Sequence, residues 1–145
     1  MKRILIVEDN FVNRTFLTEI FRGKAHCVLA VNGAEAFAAF TQATEAKLPF
    51  DLILLDIEMP VMGGLETLGH IREYEKLAGT AEHNQVPVII ITAHTAEFSD
   101  SFSRGCDHYI LKPVNPDLLL KQAELLMSGH NTNLPPGSIH QGDSA

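Results

Sequence analysis

The sequence predicts a three-layer α/β domain built on a doubly wound, five-stranded parallel sheet. Three observations carry this. The longest apolar runs, Ile4 to Val7, Leu52 to Leu55 and Val86 to Ile91, contain no polar residue, as strands buried on both faces require. Segments with apolar residues at helical spacing lie between the runs. The chain has 145 residues, 46% apolar and 20% charged, which suits one domain with a sizeable core.

The elements follow in order. Ile4 to Val7 is the first strand, stopped by Glu8-Asp9, and Val12, Phe16, Leu17, Ile20 and Phe21 give the first helix its apolar face. Cys27 to Val31 is a weaker second strand, followed by a helix carrying Ala36, Phe37, Phe40 and Ala43. Leu52 to Leu55 is the third strand, and Leu65, Leu68 and Ile71 mark the third helix. The polar stretch Ala78 to Gln85 reads as a surface loop with a frayed helix end. Val86 to Ile91 is the fourth strand, Phe98 and Phe102 mark the fourth helix and read as core packing ahead of a partner-binding stripe, and His108 to Leu111 is the fifth strand. In the last helix Asn115-Pro116-Asp117 supplies an N-cap, a first-turn proline and a favourable charge, Leu119, Ala123 and Leu126 face the core, and Gly129 closes it. Five strand-helix units in about 125 residues imply right-handed crossovers with helices on both faces. Residues 1–128 thus form the domain, and residues 129–145, which include Leu134-Pro135-Pro136-Gly137, read as a flexible tail or truncated linker.

Composition excludes several function classes. Eleven Lys and Arg against eighteen Asp and Glu give a formal charge of −7, with no local basic patch to grip nucleic acid or an anionic membrane. The apolar run near the N-terminus is too short for a signal peptide or a membrane span. Cys27 and Cys106 form no C-x-x-C pair, so neither a disulfide scaffold nor a cysteine metal site is expected, and a reducing cytoplasm is the simplest location. The seven histidines show no i, i+4 pairing of the zinc-site kind and are expected on surfaces and loops.

Chemistry concentrates at the carboxyl ends of the strands, where open α/β sheets gather their functional groups. The first strand ends in Glu8-Asp9, the third in Asp56, the fourth in Thr92 and the fifth in Lys112-Pro113. Each alone would read as a solvated loop or a turn; their coincidence at one edge points to a site. Three carboxylates there would repel one another and take up protons unless a cation neutralised them. Mg²⁺ prefers oxygen ligands and is usually held by one or two carboxylates, which fits Asp9 and Asp56 with Glu8 further out; Mn²⁺ is an alternative. With Lys112 added the charges balance, and a phosphoryl group would find its charge shared by Lys112, the metal and the Thr92 hydroxyl.

These residues resemble the receiver domains of two-component response regulators. Glu8-Asp9 is similar to the family's acidic pair, Asp56 in Leu54-Leu55-Asp56-Ile57-Glu58-Met59-Pro60 to its phosphoacceptor, Thr92-Ala93 to its hydroxyl position, and Lys112-Pro113 to its lysine followed by a cis proline. Tyr109 matches its switch aromatic. The resemblance implies a flavodoxin-like fold with strand order 2-1-3-4-5 and a phosphoryl group passed from a partner phosphohistidine to Asp56. It further implies that Asp9 binds Mg²⁺ directly, Glu8 through water or alternative coordination, and the Glu58 backbone carbonyl as a further ligand. Lys112 and Thr92 would then hold the phosphoryl group, and Tyr109 would move inward and alter the face built from the fourth helix, fifth strand and fifth helix. Glu58 and His94 occupy positions that tune phosphoryl lifetime in the family.

Val7-Glu8-Asp9-Asn10-Phe11-Val12-Asn13-Arg14 resembles the opening of receivers in hybrid histidine kinases and phosphorelays. The implied partner is therefore a histidine kinase or a histidine phosphotransfer protein, with an unspecified downstream protein, and the chain is either a stand-alone regulator or a module of a hybrid kinase. Gly63 stands where the family often has aspartate, so a local loop difference is expected. For Tyr109, half-buried packing is the competing reading.

Two other classes share parts of the pattern. A magnesium-dependent phosphatase of the haloacid dehalogenase type needs a second aspartate two residues after the nucleophile, where this chain has Glu58. A flavin carrier needs a hydroxyl- and glycine-rich phosphate cradle where this chain has Glu8-Asp9. A degenerate receiver used only for protein binding would lack principal site residues that are all present.

Overall fold

A computed structural model describes residues 1–94 and 98–129, which hold strands β1 (Lys2–Val7), β2 (Ala25–Ala30), β3 (Leu52–Asp56), β4 (Val88–Thr92) and β5 (His108–Leu111) and helices α1 (Phe11–Ile20), α2 (Gly33–Glu45), α3 (Gly64–Leu77), α4 (Phe98–Ser103) and α5 (Pro116–Met127). The sheet is parallel throughout, in the order β2-β1-β3-β4-β5. The expected doubly wound (βα)5 architecture and strand order are those observed. The expected tail lies outside the described residues apart from Gly129.

Burial explains the unbroken apolar runs. Leu5, Val7, Ile53, Leu55, Val88 and Ile90 pack on one face with Ala36, Phe40, Leu68 and Ile71 of α2 and α3. Ile4, Ile6, Leu52, Leu54, Ile89 and Ile91 pack on the other with Leu17 and Phe21 from α1 and Leu119, Ala123 and Leu126 of α5. Successive strand residues enter opposite layers, so neither face tolerates a polar side chain. The edge strand β2 is only partly covered and alone among the longer strands carries an exposed leucine, Leu29.

Helix starts are fixed locally. Asn10, Asn32 and Asn115 each accept from a backbone amide three residues on, at 2.9, 2.8 and 3.1 Å, satisfying donors that a helix leaves unpaired. Pro116 and Asp117 open α5, and Gly129 follows its end at φ 82°, as the sequence led us to expect. The fourth strand begins at Val88 rather than Val86, because Pro87 has no N–H to give the ladder and contributes only its carbonyl, which accepts from Ile53 N. The polar loop before it contains a 3-10 turn at Glu82–Asn84.

A polar network ties α3 to the amino ends of β4 and β5. Arg72 donates to Glu75 Oε1 at 2.7 Å, to Asp107 Oδ2 at 3.1 Å and to the Gly105 carbonyl at 3.0 Å. Glu75 Oε2 accepts from Val86 N at 2.7 Å and Asp107 Oδ2 from Val88 N at 2.9 Å. This network lies at the sheet edge opposite the one that carries the acids.

Candidate functional site

The register delivers the acids together. Val7 pairs with Leu55 in the ladder, so Glu8 and Asp9 leave β1 beside Asp56 at the end of β3. Oxygen atoms of Glu8, Asp9 and Asp56 lie within 4.8 Å of one another. Glu8 and Asp56 are buried, at 1% and 4% exposure, and Asp9 is exposed. Arg14, one turn into α1, donates to the Glu8 carbonyl at 2.9 Å and the Asp9 carbonyl at 3.3 Å, holding the backbone of the acid pair.

Lys112 follows β5 at the same carboxyl edge. Its amide donates to the Thr92 carbonyl at 2.8 Å, and the following Lys112–Pro113 peptide is cis. Lys112 Nζ lies 3.2 Å from Glu8 Oε1 and 3.6 Å from Asp56 Oδ2. Burial lowers the affinity of this ammonium for its proton, but Asp56 and Glu8 outweigh that and hold its pKa above the ordinary lysine value. Asp56 is pushed up to about 7, first by burial and then by Glu8, against the pull of Lys112 and of the Glu58 amide. One lysine thus does not neutralise the cluster. An all-oxygen donor set with unrelieved negative charge fits a hard divalent ion, and the residues that would hold it are Glu8, Asp9 and Asp56.

Thr92, fully buried, ends β4, and its Oγ1 accepts from His94 N at 3.3 Å. His94 Nε2 pairs with Glu58 Oε2 at 3.0 Å, bridging the loops after β3 and β4. The Glu58 amide in turn donates to Asp56 Oδ1 at 3.3 Å, so the Glu58 backbone lies against the site. Tyr109 is buried at 9% exposure, and its hydroxyl donates to the His94 carbonyl. The sequence leads one to expect inward movement of Tyr109 on phosphorylation; here the ring is already inward, stacked on Phe102 at 6.4 Å between centroids.

Every residue singled out at the strand ends therefore reaches one edge of the sheet. Sequence reasoning places Arg14 in the opening motif and a glycine at the start of the third helix but gives neither Arg14 nor Gly64 a role at the site. A Cβ on Gly64 would stand 2.3 Å from the Asp56 carbonyl oxygen, so α3 can begin directly against the strand that carries Asp56 only with glycine there. The signal for Gly64 was its place at the start of the third apolar helix pattern. Gly63, in the position where aspartate is common, is the N-cap of α3 and supplies no side-chain bond. His26, His70, His83 and His94 are exposed, and His108 is half-buried within β5.

Residues 4–124 match the response regulator receiver domain family. The chain is 31% identical over 121 residues to hybrid signal transduction histidine kinase I of Dictyostelium discoideum, covering 81% of this chain and 7% of that protein. It thus spans a small part of the curated relatives it matches. The receiver domain of Saccharomyces cerevisiae Ssk1, solved with the histidine phosphotransfer protein Ypd1, superposes with a TM-score of 0.77 at 30% identity over 92% of each chain. Response regulator TrrA of Thermotoga maritima, solved with Mg²⁺ and beryllofluoride, gives a TM-score of 0.70 at 33% identity, over 87% of this chain and 99% of that one. Taken with the parallel sheet and the acidic edge, these matches identify the chain as a member of the response regulator receiver domain family.

Proposed function

We propose that the chain accepts a phosphoryl group on Asp56 from a phosphohistidine of a histidine kinase or histidine phosphotransfer protein. The observation that carries this is the convergence of Glu8, Asp9, Asp56 and Lys112, with Thr92 at the end of the next strand. In the transfer an Asp56 carboxylate oxygen bonds to phosphorus as the P–N bond breaks, and the imidazole departs with the electron pair. Asp9 and Asp56, the Glu58 backbone carbonyl and, through water or alternative coordination, Glu8 would hold Mg²⁺, which when bound compensates charge on the phosphoryl oxygens. Lys112 stabilises the same charge from the side of Glu8, and the Thr92 hydroxyl, which accepts from the His94 amide, donates its own proton to a phosphoryl oxygen. The protein catalyses only its own phosphorylation and dephosphorylation.

The output is a change at α4, β5 and α5, with Thr92 and Tyr109 as the switch pair, read by a downstream protein. The His94–Glu58 pair bridges the loops after β3 and β4 beside Asp56, and it tunes the lifetime of the phosphoaspartate. Exposed Phe11 and Val12, at 71% and 70%, give a partner an apolar foothold beside Asp9. Residues 1–128 form the functional unit and a cytoplasmic location suits it; among the described residues no helix is long and apolar enough to cross a membrane. The same site would serve within a hybrid kinase, the class of the Dictyostelium relative.

Incubation with acetyl phosphate and Mg²⁺, followed by intact-mass measurement, should show one added phosphoryl group that Asp56→Asn abolishes. No added mass, or equal labelling of Asp56→Asn, would overturn the assignment. Amide exchange around β5 with and without beryllofluoride tests the switch; unchanged protection would reduce Tyr109 to packing.

A further inference from the structure

Gly33, the first residue of α2, meets the loop that follows Asp56. Its amide donates to the Met62 carbonyl at 3.1 Å. No side chain fits there: a Cβ on Gly33 would stand 2.0 Å from Thr67 Oγ1, 2.6 Å from the Met62 carbonyl oxygen and 2.9 Å from Met62 Cβ. Two of these neighbours belong to the loop and the third to the first turn of α3, so the close approach depends on glycine.

The loop itself is tightly constrained. Gly64 N donates to the Ile57 carbonyl at 2.8 Å and Met62 N to the Pro60 carbonyl at 2.7 Å. Between Pro60 and Met62, Val61 has φ 70°, a left-handed conformation that is an outlier for a β-branched residue. Such a residue persists only where its surroundings over-determine it. Val61 is 83% exposed and has no packing of its own to hold it. Met62 is where the constraints meet, since its amide closes on Pro60 and its carbonyl is taken by Gly33. The same loop carries Glu58, whose amide reaches Asp56 Oδ1 at 3.3 Å and whose carboxylate pairs with His94 at 3.0 Å.

We propose that Gly33 is a positioning residue for the Asp56 site: its contact with Met62 latches the loop at residues 57–63 in the arrangement that presents the Glu58 backbone to Asp56 and to a cation bound there. The inference rests on the metal and phosphoryl reading given above. Coupling of this kind is reciprocal, so a ligand that needs the latched loop must also strengthen the latch.

Amide exchange of Gly33 in the wild-type protein, followed by NMR, tests this without a substitution. Adding Mg²⁺ with beryllofluoride should slow Gly33 exchange by about fivefold or more. Unchanged Gly33 exchange, while resonances around Asp56 shift, would overturn the latch and leave the phosphoryl reading standing. Failure of the wild type to respond to Mg²⁺ or beryllofluoride anywhere would remove both. Calorimetric Mg²⁺ titration of Gly33→Ala against Gly69→Ala gives a second arm, because a Cβ at Gly69 meets nothing within 4 Å. Gly33→Ala should raise the Mg²⁺ Kd by about fivefold or more, and Gly69→Ala should leave it unchanged. A folded Gly33→Ala with wild-type affinity sinks the proposal; if Gly33→Ala does not fold, the exchange result decides.

Discussion

Lys112 and Glu8 form an ion pair at the carboxyl edge of the sheet, 3.2 Å from Nζ to Oε1, with the glutamate side chain 1% exposed. The same ammonium stands 3.6 Å from Asp56, so one cation is divided between two carboxylates. Burial and Glu8 together push Asp56 up to about 7, and Lys112 restrains the rise. Glu8→Gln should therefore lower the Asp56 pKa and Lys112→Met should raise it. Carboxyl carbon NMR titration of metal-free protein measures both; a shift of either in the opposite direction would refute the assignment of causes.

Stability of the metal-free protein should fall as pH rises between about 4 and about 7, the interval between the ordinary aspartate pKa and the raised value at Asp56. Folded Asp56 holds its proton at a pH where the unfolded chain has lost it, so the native state binds more protons across this window and stability declines with pH. Asp107, raised chiefly by burial, contributes in the same direction. The difference between wild type and Asp56→Asn in urea unfolding isolates the Asp56 part, and that difference should shrink when saturating Mg²⁺ is present. An equal pH slope in the two metal-free proteins would contradict it.

The carboxyl-edge site was legible because each of its residues interrupts or ends an apolar run: Asp56 after Leu55, Thr92 after Ile91, Lys112 after Leu111. One such residue would pass for a solvated loop, but acids, a hydroxyl and a lysine at the ends of four buried strands have no common explanation in packing, so their coincidence exposes the site. Arg72, Glu75 and Asp107 were not legible. Charged residues within a helix pattern and a loop read as solvated surface, and nothing local shows that α3 brings the pair against Asp107, thirty-odd residues later in the chain. The Gly33–Met62 contact was hidden for the same reason, since a loop's long-range approach leaves no periodic signal.

Glu75→Ala should destabilise the protein by about 3 kcal/mol, because it strands buried polar partners. Glu75 is 4% exposed and serves both the Arg72 guanidinium and the Val86 amide, each at 2.7 Å. Losing it leaves that amide unpaired and Arg72 with Asp107 as its remaining carboxylate partner among those described. Urea unfolding measures the loss. Because the network lies at the amino edge of β4 and β5, the Mg²⁺ affinity of the folded variant should match the wild type; a matching stability instead would show that water replaces both partners at no cost.

Val61→Gly should stabilise the protein by about 0.5–1 kcal/mol. A left-handed residue other than glycine costs about 1–2 kcal/mol, and glycine recovers this less its own larger loss of backbone freedom, roughly 0.5–1 kcal/mol. Val61 is 83% exposed, so little apolar burial is given up. The variant should unfold at higher urea with an unchanged m-value, and a lower midpoint would mean that the left-handed turn is not under strain.

Tyr109→Phe separates the switch ring from its hydroxyl. The ring would stay buried, stacked against Phe102 at 6.4 Å, so the core loses little. What disappears is the donor to the His94 carbonyl, and because His94 is exposed water can replace it, giving a cost of about 1 kcal/mol or less. The effect should instead be local. Among the described residues His94 is held by Tyr109 at its carbonyl, by Thr92 Oγ1 at its amide at 3.3 Å and by Glu58 at its imidazole at 3.0 Å, and removing the first leaves the contacts to the loop and strand that carry Asp56 and Thr92. Amide exchange at His94 should quicken by severalfold in Tyr109→Phe, with Mg²⁺ affinity unchanged, since none of the oxygen donors to the cation has moved. Phosphoryl labelling from acetyl phosphate should proceed at the wild-type rate while beryllofluoride-induced protection of β5 is reduced. Retention of full β5 protection would place the coupling in the ring's packing and not in the hydrogen bond.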